Sequence, residues 1–136
     1  ALGDMALHQH TDPTSITLLY QDGSGGLQTE SDQHGWIDVP PEPYSFVVNV
    51  GDLLQAFSND RYKAANHRVL PVAPGVSRFS YPFFHFPRPG SVIESVVRDE
   101  APVYRAFDVF ELLGARMEDN YSPRESADTQ LSNFRI

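Results

Sequence analysis

The 136-residue sequence contains no cysteine. That excludes disulfides, thiolate metal sites and thiol nucleophiles, and leaves His, Asp and Glu as the side chains able to hold a metal. Long apolar runs are missing too. No stretch approaches the roughly 18 apolar residues of a membrane span, and Ala1 to His10 has neither a basic n-region nor an apolar h-region. Basic residues are few: ten Lys and Arg stand against eighteen Asp and Glu, for a formal net charge of −8. Such a surplus repels phosphate backbones over the molecule as a whole. The expectations are therefore no nucleic-acid partner, no membrane, and a cytoplasmic location, which the lack of cysteine permits.

What is present is enough for one compact domain and too little for two. Eleven Pro and nine Gly punctuate short apolar segments, the pattern of an all-β domain rather than a helical bundle. Strands are expected near Met5–His10, Ser15–Gln21, Leu27–Glu30, Trp36–Val39, Ser45–Val50, Tyr62–Leu70 and Ser77–Phe86, a number that suits a sandwich or jelly roll. Asp52–Ser58 reads as a helical turn with Asp52 as its N-cap. Past Pro102 the period changes. Phe107, Phe110, Leu113 and Met117 share one face of a helix, the one clear helix of the chain. From Ser122 onward the sequence is polar and aperiodic, so residues 122–136 read as a tail behind a core of 1–121.

The segment His10-Thr11-Asp12 sets an imidazole and a carboxylate two residues apart, on one face of an extended chain. His67, in a strand-like stretch 57 residues on, is the best candidate for a third ligand. Two His and one carboxylate form the facial triad that suits Fe(II) and leaves positions open for dioxygen and an oxidisable ligand. On its own a His-x-Asp tripeptide is common, and a surface strand explains it equally well. Further along, Arg78 and Ser80 alternate onto one face, where a guanidinium fork beside a hydroxyl makes a carboxylate receptor. A solvated strand arginine is the plainer alternative.

The ordered series His10-Thr11-Asp12-Pro13, Leu18-Leu19-Tyr20-Gln21-Asp22, Gly25-Gly26-Leu27-Gln28, Trp36-Ile37-Asp38-Val39-Pro40-Pro41, Phe46-Val47-Val48-Asn49-Val50-Gly51-Asp52, Asn59-Asp60-Arg61-Tyr62-Lys63, His67-Arg68-Val69, Arg78-Phe79-Ser80 and Phe83-Phe84 resembles the iron- and 2-oxoglutarate-dependent dioxygenases of the isopenicillin N synthase-like family. The resemblance covers roughly Leu7 to Tyr121. It implies a double-stranded β-helix, the jelly roll, with Fe(II) held by His10, Asp12 and His67. It also implies that Arg78 and Ser80 grip the distal carboxylate of the cosubstrate 2-oxoglutarate. Such enzymes use dioxygen to couple decarboxylation of the 2-oxo acid to hydroxylation, desaturation or cyclisation of a small-molecule substrate.

Members of this family are typically about twice as long, so the chain corresponds to the C-terminal catalytic half and lacks the N-terminal portion. That missing half, in cis or in trans, is an expected partner. Isopenicillin N synthase and aminocyclopropane carboxylate oxidase keep the Arg-x-Ser pair without consuming 2-oxoglutarate, so an oxidase of that kind stays in competition, as does a non-catalytic β-sandwich binding module. Among other residues, His8 shares the expected face of His10, but no Glu follows at the spacing a cupin-like motif needs. His34 and His85 read as structural or exposed, Trp36 as core, and Arg68 as facing away from His67 toward an acidic partner.

Overall fold

The computed structural model describes residues 5–121 and 130–136. Among them, nine short strands and two α-helices follow one another along the chain. They are β1 (Leu7–His10), β2 (Ile16–Gln21), β3 (Leu27–Ser31), β4 (Gly35–Asp38) and β5 (Val47–Val50). After α1 (Asp52–Phe57) come β6 (His67–Val69), β7 (Ser80–His85), β8 (Val92–Ile93), β9 (Phe107–Asp108) and α2 (Val109–Tyr121). A short 3₁₀ turn, Leu131–Phe134, follows. Two antiparallel sheets dominate, ordered β1-β6-β3-β4 and β5-β2-β7, and the chain passes repeatedly between them, as in a jelly roll.

Turn chemistry explains the crossings. Gly25 and Gly26 both take positive φ, and a Cβ on Gly26 would lie 3.0 Å from the carbonyl oxygen of Leu70. Only glycine suits that left-handed approach of β3 to β6. Gly51 is tighter still, because a Cβ there would meet the Thr14 carbonyl oxygen at 2.0 Å. The missing side chain lets Gly51, Asp52 and Leu53 donate backbone hydrogen bonds to the carbonyls of Ser15, Asp12 and Thr14 at 3.0, 2.9 and 3.0 Å. This clamp ties the start of α1 to the loop that follows β1.

The apolar core lies outside the two sheets. Leu53 and Ala56 of α1, Ile93, Tyr104, Phe107, Val109, Leu112, Leu131 and Phe134 form one buried cluster, with the Phe107 and Phe134 rings 4.3 Å apart. Between the sheets the buried residues are largely polar: Asp12, Thr14, Thr17, Gln21 and His67. No helix among the described residues is long and apolar enough to cross a membrane.

Several elements differ from the sequence-based expectation. The Tyr62–Leu70 strand shrinks to His67–Val69, and it is preceded by a turn in which Asn59 and Asp60 take positive φ. Asp52 is the first helical residue rather than the cap, which is Gly51. Helix α2 buries Val109 and Leu112, whereas Phe110 and Met117 are exposed and Phe107 belongs to β9. The i, i+3, i+6, i+10 reading thus chose the wrong stripe. Of the expected tail, 122–129 lie outside the described residues, and Leu131 and Phe134 are core residues rather than tail. Their i, i+3 pair is too brief to register as a period.

Candidate metal centre

His10 ends β1, His67 opens β6, and the two are directly paired across the sheet. Between Leu7 and His10 the register shifts by one residue relative to β6. Such a bulge breaks strict alternation and re-aims a side chain. It accounts for the difference between His10, half-buried, and His8, exposed.

The three expected ligands converge. His10 Nε2 and His67 Nε2 lie 3.7 and 3.5 Å from Asp12 Oδ1, and one donor atom from each residue falls within 4.8 Å of the others. Each imidazole has its other nitrogen tied to a carbonyl two residues back: His10 Nδ1 to His8 at 2.8 Å, and His67 Nδ1 to Ala65 at 3.2 Å. A ring whose Nδ1–H donates in this way presents the Nε2 lone pair outward, the tautomer that a metal requires.

Asp12 is buried, and its Oδ2 has no hydrogen-bond partner among the described residues. A cation between these groups would face Oδ1, the oxygen that both Nε2 atoms approach, and would supply the counter-charge that a buried carboxylate calls for. The residues present therefore fit a divalent ion of the Fe(II) type. Electrostatics agrees. Burial would raise the Asp12 carboxyl, but the imidazole of His67 and the hydroxyl of Thr17 outweigh it and hold the carboxyl below its usual range. Burial would likewise lower His67, but Asp12 outweighs it and the imidazole is raised. His10 is lowered, chiefly by burial and further by the neighbouring His67.

The second constellation forms at the far end of β2. Arg78 precedes β7, and its Nε donates to the Gly25 carbonyl at 2.8 Å, which fixes the plane of the guanidinium. Nη1 then reaches Ser80 Oγ at 3.1 Å and Nη2 reaches Gln21 Oε1 at 3.5 Å. Thr17 and Gln21 are both buried on the inward face of β2. Thr17 stands beside Asp12 and Gln21 beside Arg78, so about 13 Å of strand separates the ends of the site.

Residues 2–87 match the family model of the 2OG-Fe(II) oxygenase superfamily. The chain belongs to that superfamily. It is 43% identical over 113 residues to gibberellin 2-beta-dioxygenase 8 of Arabidopsis thaliana, an alignment covering 83% of the chain and 32% of the relative. Rice dioxygenase for auxin oxidation superposes with a TM-score of 0.82 at 33% identity, covering 98% of this chain and 46% of that one. A full-length Neurospora crassa protein, solved in complex with alpha-KG and thymine, gives 0.77 at 35% identity over 86% and 38% of the two chains. The chain spans about a third of the length of the curated relatives it matches.

Beyond the expected residues, this member of the superfamily brings Thr17, Gln21, Asp52 and Arg116 to the site. Thr17 and Gln21 share one face of β2 with Leu19, so alternation alone did not mark that face as the inward one. Two other expectations are corrected. Arg68 does face away from His67, yet no acid among the described residues receives it: its Nε donates to Gln28 Oε1 at 2.8 Å and its guanidinium stacks 4.0 Å over Trp36. Trp36 is therefore half-buried beneath an arginine on the sheet's outer face, not in the core. His34 and His85 are exposed.

Proposed function

We propose that this chain is the metal- and cosubstrate-binding core, residues 1–121, of a cytoplasmic Fe(II)- and 2-oxoglutarate-dependent oxygenase acting on a small organic molecule. In this reading His10, Asp12 and His67 ligate iron, and Arg78 with Ser80 receives the distal carboxylate of 2-oxoglutarate. The observation that carries it is the buried Asp12 carboxylate, with Oδ1 facing two Nε2 atoms and Oδ2 without a partner among the described residues. When bound, the iron supplies dioxygen activation at the expense of the 2-oxo acid.

The chain's own residues prepare that chemistry. The carbonyls of His8 and Ala65 hold both imidazoles in the metal-binding tautomer, and burial keeps bulk water from the carboxylate. Gly25 holds the Arg78 fork in one plane, so a dicarboxylate docks in a single orientation along the inward face of β2. The length of strand between Thr17 and Gln21 suits a five-carbon diacid bridging from the metal to the long arginine side chain.

A further segment of polypeptide, in cis or in trans, completes the barrel. Leu18, Tyr20, Phe46, Val48, Tyr81 and Phe83 leave an apolar outer face on the β5-β2-β7 sheet, and β7 has an unpaired edge among the described residues. Both features support such a completion.

The test is labelled carbon dioxide release from 2-oxoglutarate by the completed enzyme. A bidentate guanidinium–carboxylate contact contributes about 1.5–3 kcal/mol. Arg78→Gln should raise the apparent constant for 2-oxoglutarate on the order of ten- to a hundredfold and leave Fe(II) affinity unchanged, and Arg78→Lys should recover part of the loss. Turnover independent of 2-oxoglutarate, with substrate binding lost in Arg78→Gln, would instead mark an oxidase whose substrate carries the carboxylate.

A further inference from the structure

Helix α2 carries an arginine where its buried stripe calls for an apolar residue. Val109, Leu112, Leu113 and Arg116 fall at i, i+3, i+4 and i+7, and the first three pack in or against the core. Arg116 continues that stripe inward, with 15% of its side chain exposed. Its Nη1 donates to the Thr11 carbonyl at 2.9 Å, and its Nη2 lies 3.2 Å from Thr11 Oγ1 and 2.5 Å from Asp52 Oδ2. Thr11 Oγ1 in turn donates to Asp52 Oδ2 at 3.2 Å.

Asp52 is itself 2% exposed, and its backbone N–H donates to the Asp12 carbonyl. Thr11 is the residue between the two candidate ligands His10 and Asp12. The one-residue link joining an imidazole to a carboxylate is thus gripped from behind through its carbonyl and its hydroxyl, while the next carbonyl is held by the main chain of α1. A buried ion pair is a weak stabiliser, because desolvating both charges offsets most of their attraction. Its placement points to geometry.

We propose that Arg116 and Asp52 are positioning residues for the metal centre, setting through Thr11 the angle at which His10 and Asp12 meet the ion. The inference rests on the metal reading given above and makes α2, far along the chain, part of the metal site's support. Groups that orient a ligand in this way typically alter metal affinity by about ten- to a hundredfold when removed.

The test uses the 136-residue chain and Co(II), whose visible absorption reports coordination geometry, together with a thermal melt of each metal-free variant. Wild type should bind one Co(II). Arg116→Met should weaken binding about ten- to a hundredfold and change the Co(II) spectrum. Arg116→Lys should restore part of both, since an ammonium reaches one acceptor where the fork spans two. Leu112→Ala opens a cavity under the same helix, so it should lower the melting temperature and leave Co(II) affinity within about twofold.

Equal losses of affinity in Leu112→Ala and Arg116→Met would show a merely structural role and overturn the proposal. So would an Arg116→Met chain with wild-type affinity and spectrum. If Arg116→Met does not fold, Thr11→Val decides: it keeps the shape and removes the hydroxyl link, so an unchanged spectrum overturns the proposal and a shifted one supports it. A wild-type chain that takes up no Co(II) overturns the metal reading, and this inference with it.

Discussion

A buried carboxylate oxygen left without a partner costs about 1–3 kcal/mol, and more when charged. Asp12 Oδ2 is such an atom among the described residues, while Oδ1 faces His10 and His67, and His67 with Thr17 holds the carboxyl below its usual range against the effect of burial. Asp12→Asn keeps the shape and removes the charge. It should lower Fe(II) or Co(II) affinity by at least about tenfold and, because His67 and Thr17 favour the ionised carboxyl in the fold, also lower the melting temperature of the metal-free protein at neutral pH. Unchanged metal affinity in Asp12→Asn would contradict the ligand assignment, and an unchanged metal-free melt at neutral pH would contradict the coupling of Asp12 to His67. Gly51 is the counterpart on the scaffold side. The Thr14 carbonyl stands 2.0 Å from where its Cβ would be, so Gly51→Ala must push the clamp apart. Urea unfolding should register a loss of about 3 kcal/mol. The ligand residues were legible because their chemistry is named by residue type. Arg116 was not, since a charged residue on a helix reads as solvent-facing until its stripe is known.

Among the elements, β2 shows most clearly why pattern and burial disagree. Thr17 and Gln21 are buried while Leu18 and Tyr20 are 37% and 43% exposed, the reverse of the usual strand. The interior between the sheets is polar, and the candidate metal ligands Asp12 and His67 belong to it. Strand existence was therefore readable from the sequence, and which face turned inward was not. The stretch after α1 failed for a different reason. Asn59 and Asp60 hold left-handed backbone, sustained by tertiary contacts: Asn59 Oδ1 accepts from the Val103 N–H at 2.8 Å, and Asp60 accepts from the Tyr104 hydroxyl at 2.5 Å and Arg135 at 2.8 Å. Local propensity contains no trace of residues 103 to 135. This network has a pH signature. Burial, then the bond to Asp60, pushes Tyr104 up to about 12. A phenol whose folded pKa exceeds its unfolded value near 10 adds stability that is complete below about pH 10 and lost as pH rises toward about 12. The melting temperature of wild type should fall toward that of Tyr104→Phe across this window, and a constant gap between them would refute the assignment.

At the scale of the molecule, one half of the structure holds the apolar core and the other half holds the candidate site. The apolar cluster is formed by α1, β8, β9, α2 and the C-terminal turn, and the two sheets carry the candidate ligands on a polar interior. This division was invisible in the sequence, where Leu131 and Phe134 sat in what read as a tail. The outer face of β5-β2-β7 should make itself known in solution. Replacing Tyr81 and Phe83, 65% and 62% exposed, with serine should reduce binding of an apolar fluorescent dye to the 136-residue chain without altering metal uptake, and dye binding insensitive to both changes would place the apolar surface elsewhere. The central claim is that His10, Asp12 and His67 hold one iron. Anaerobic Fe(II) titration with direct metal analysis tests it: one ion per wild-type chain and none retained by Asp12→Ala or His67→Ala is the predicted result, because two remaining ligands cannot cap one face of the ion. Stoichiometric iron in both alanine variants would contradict the account.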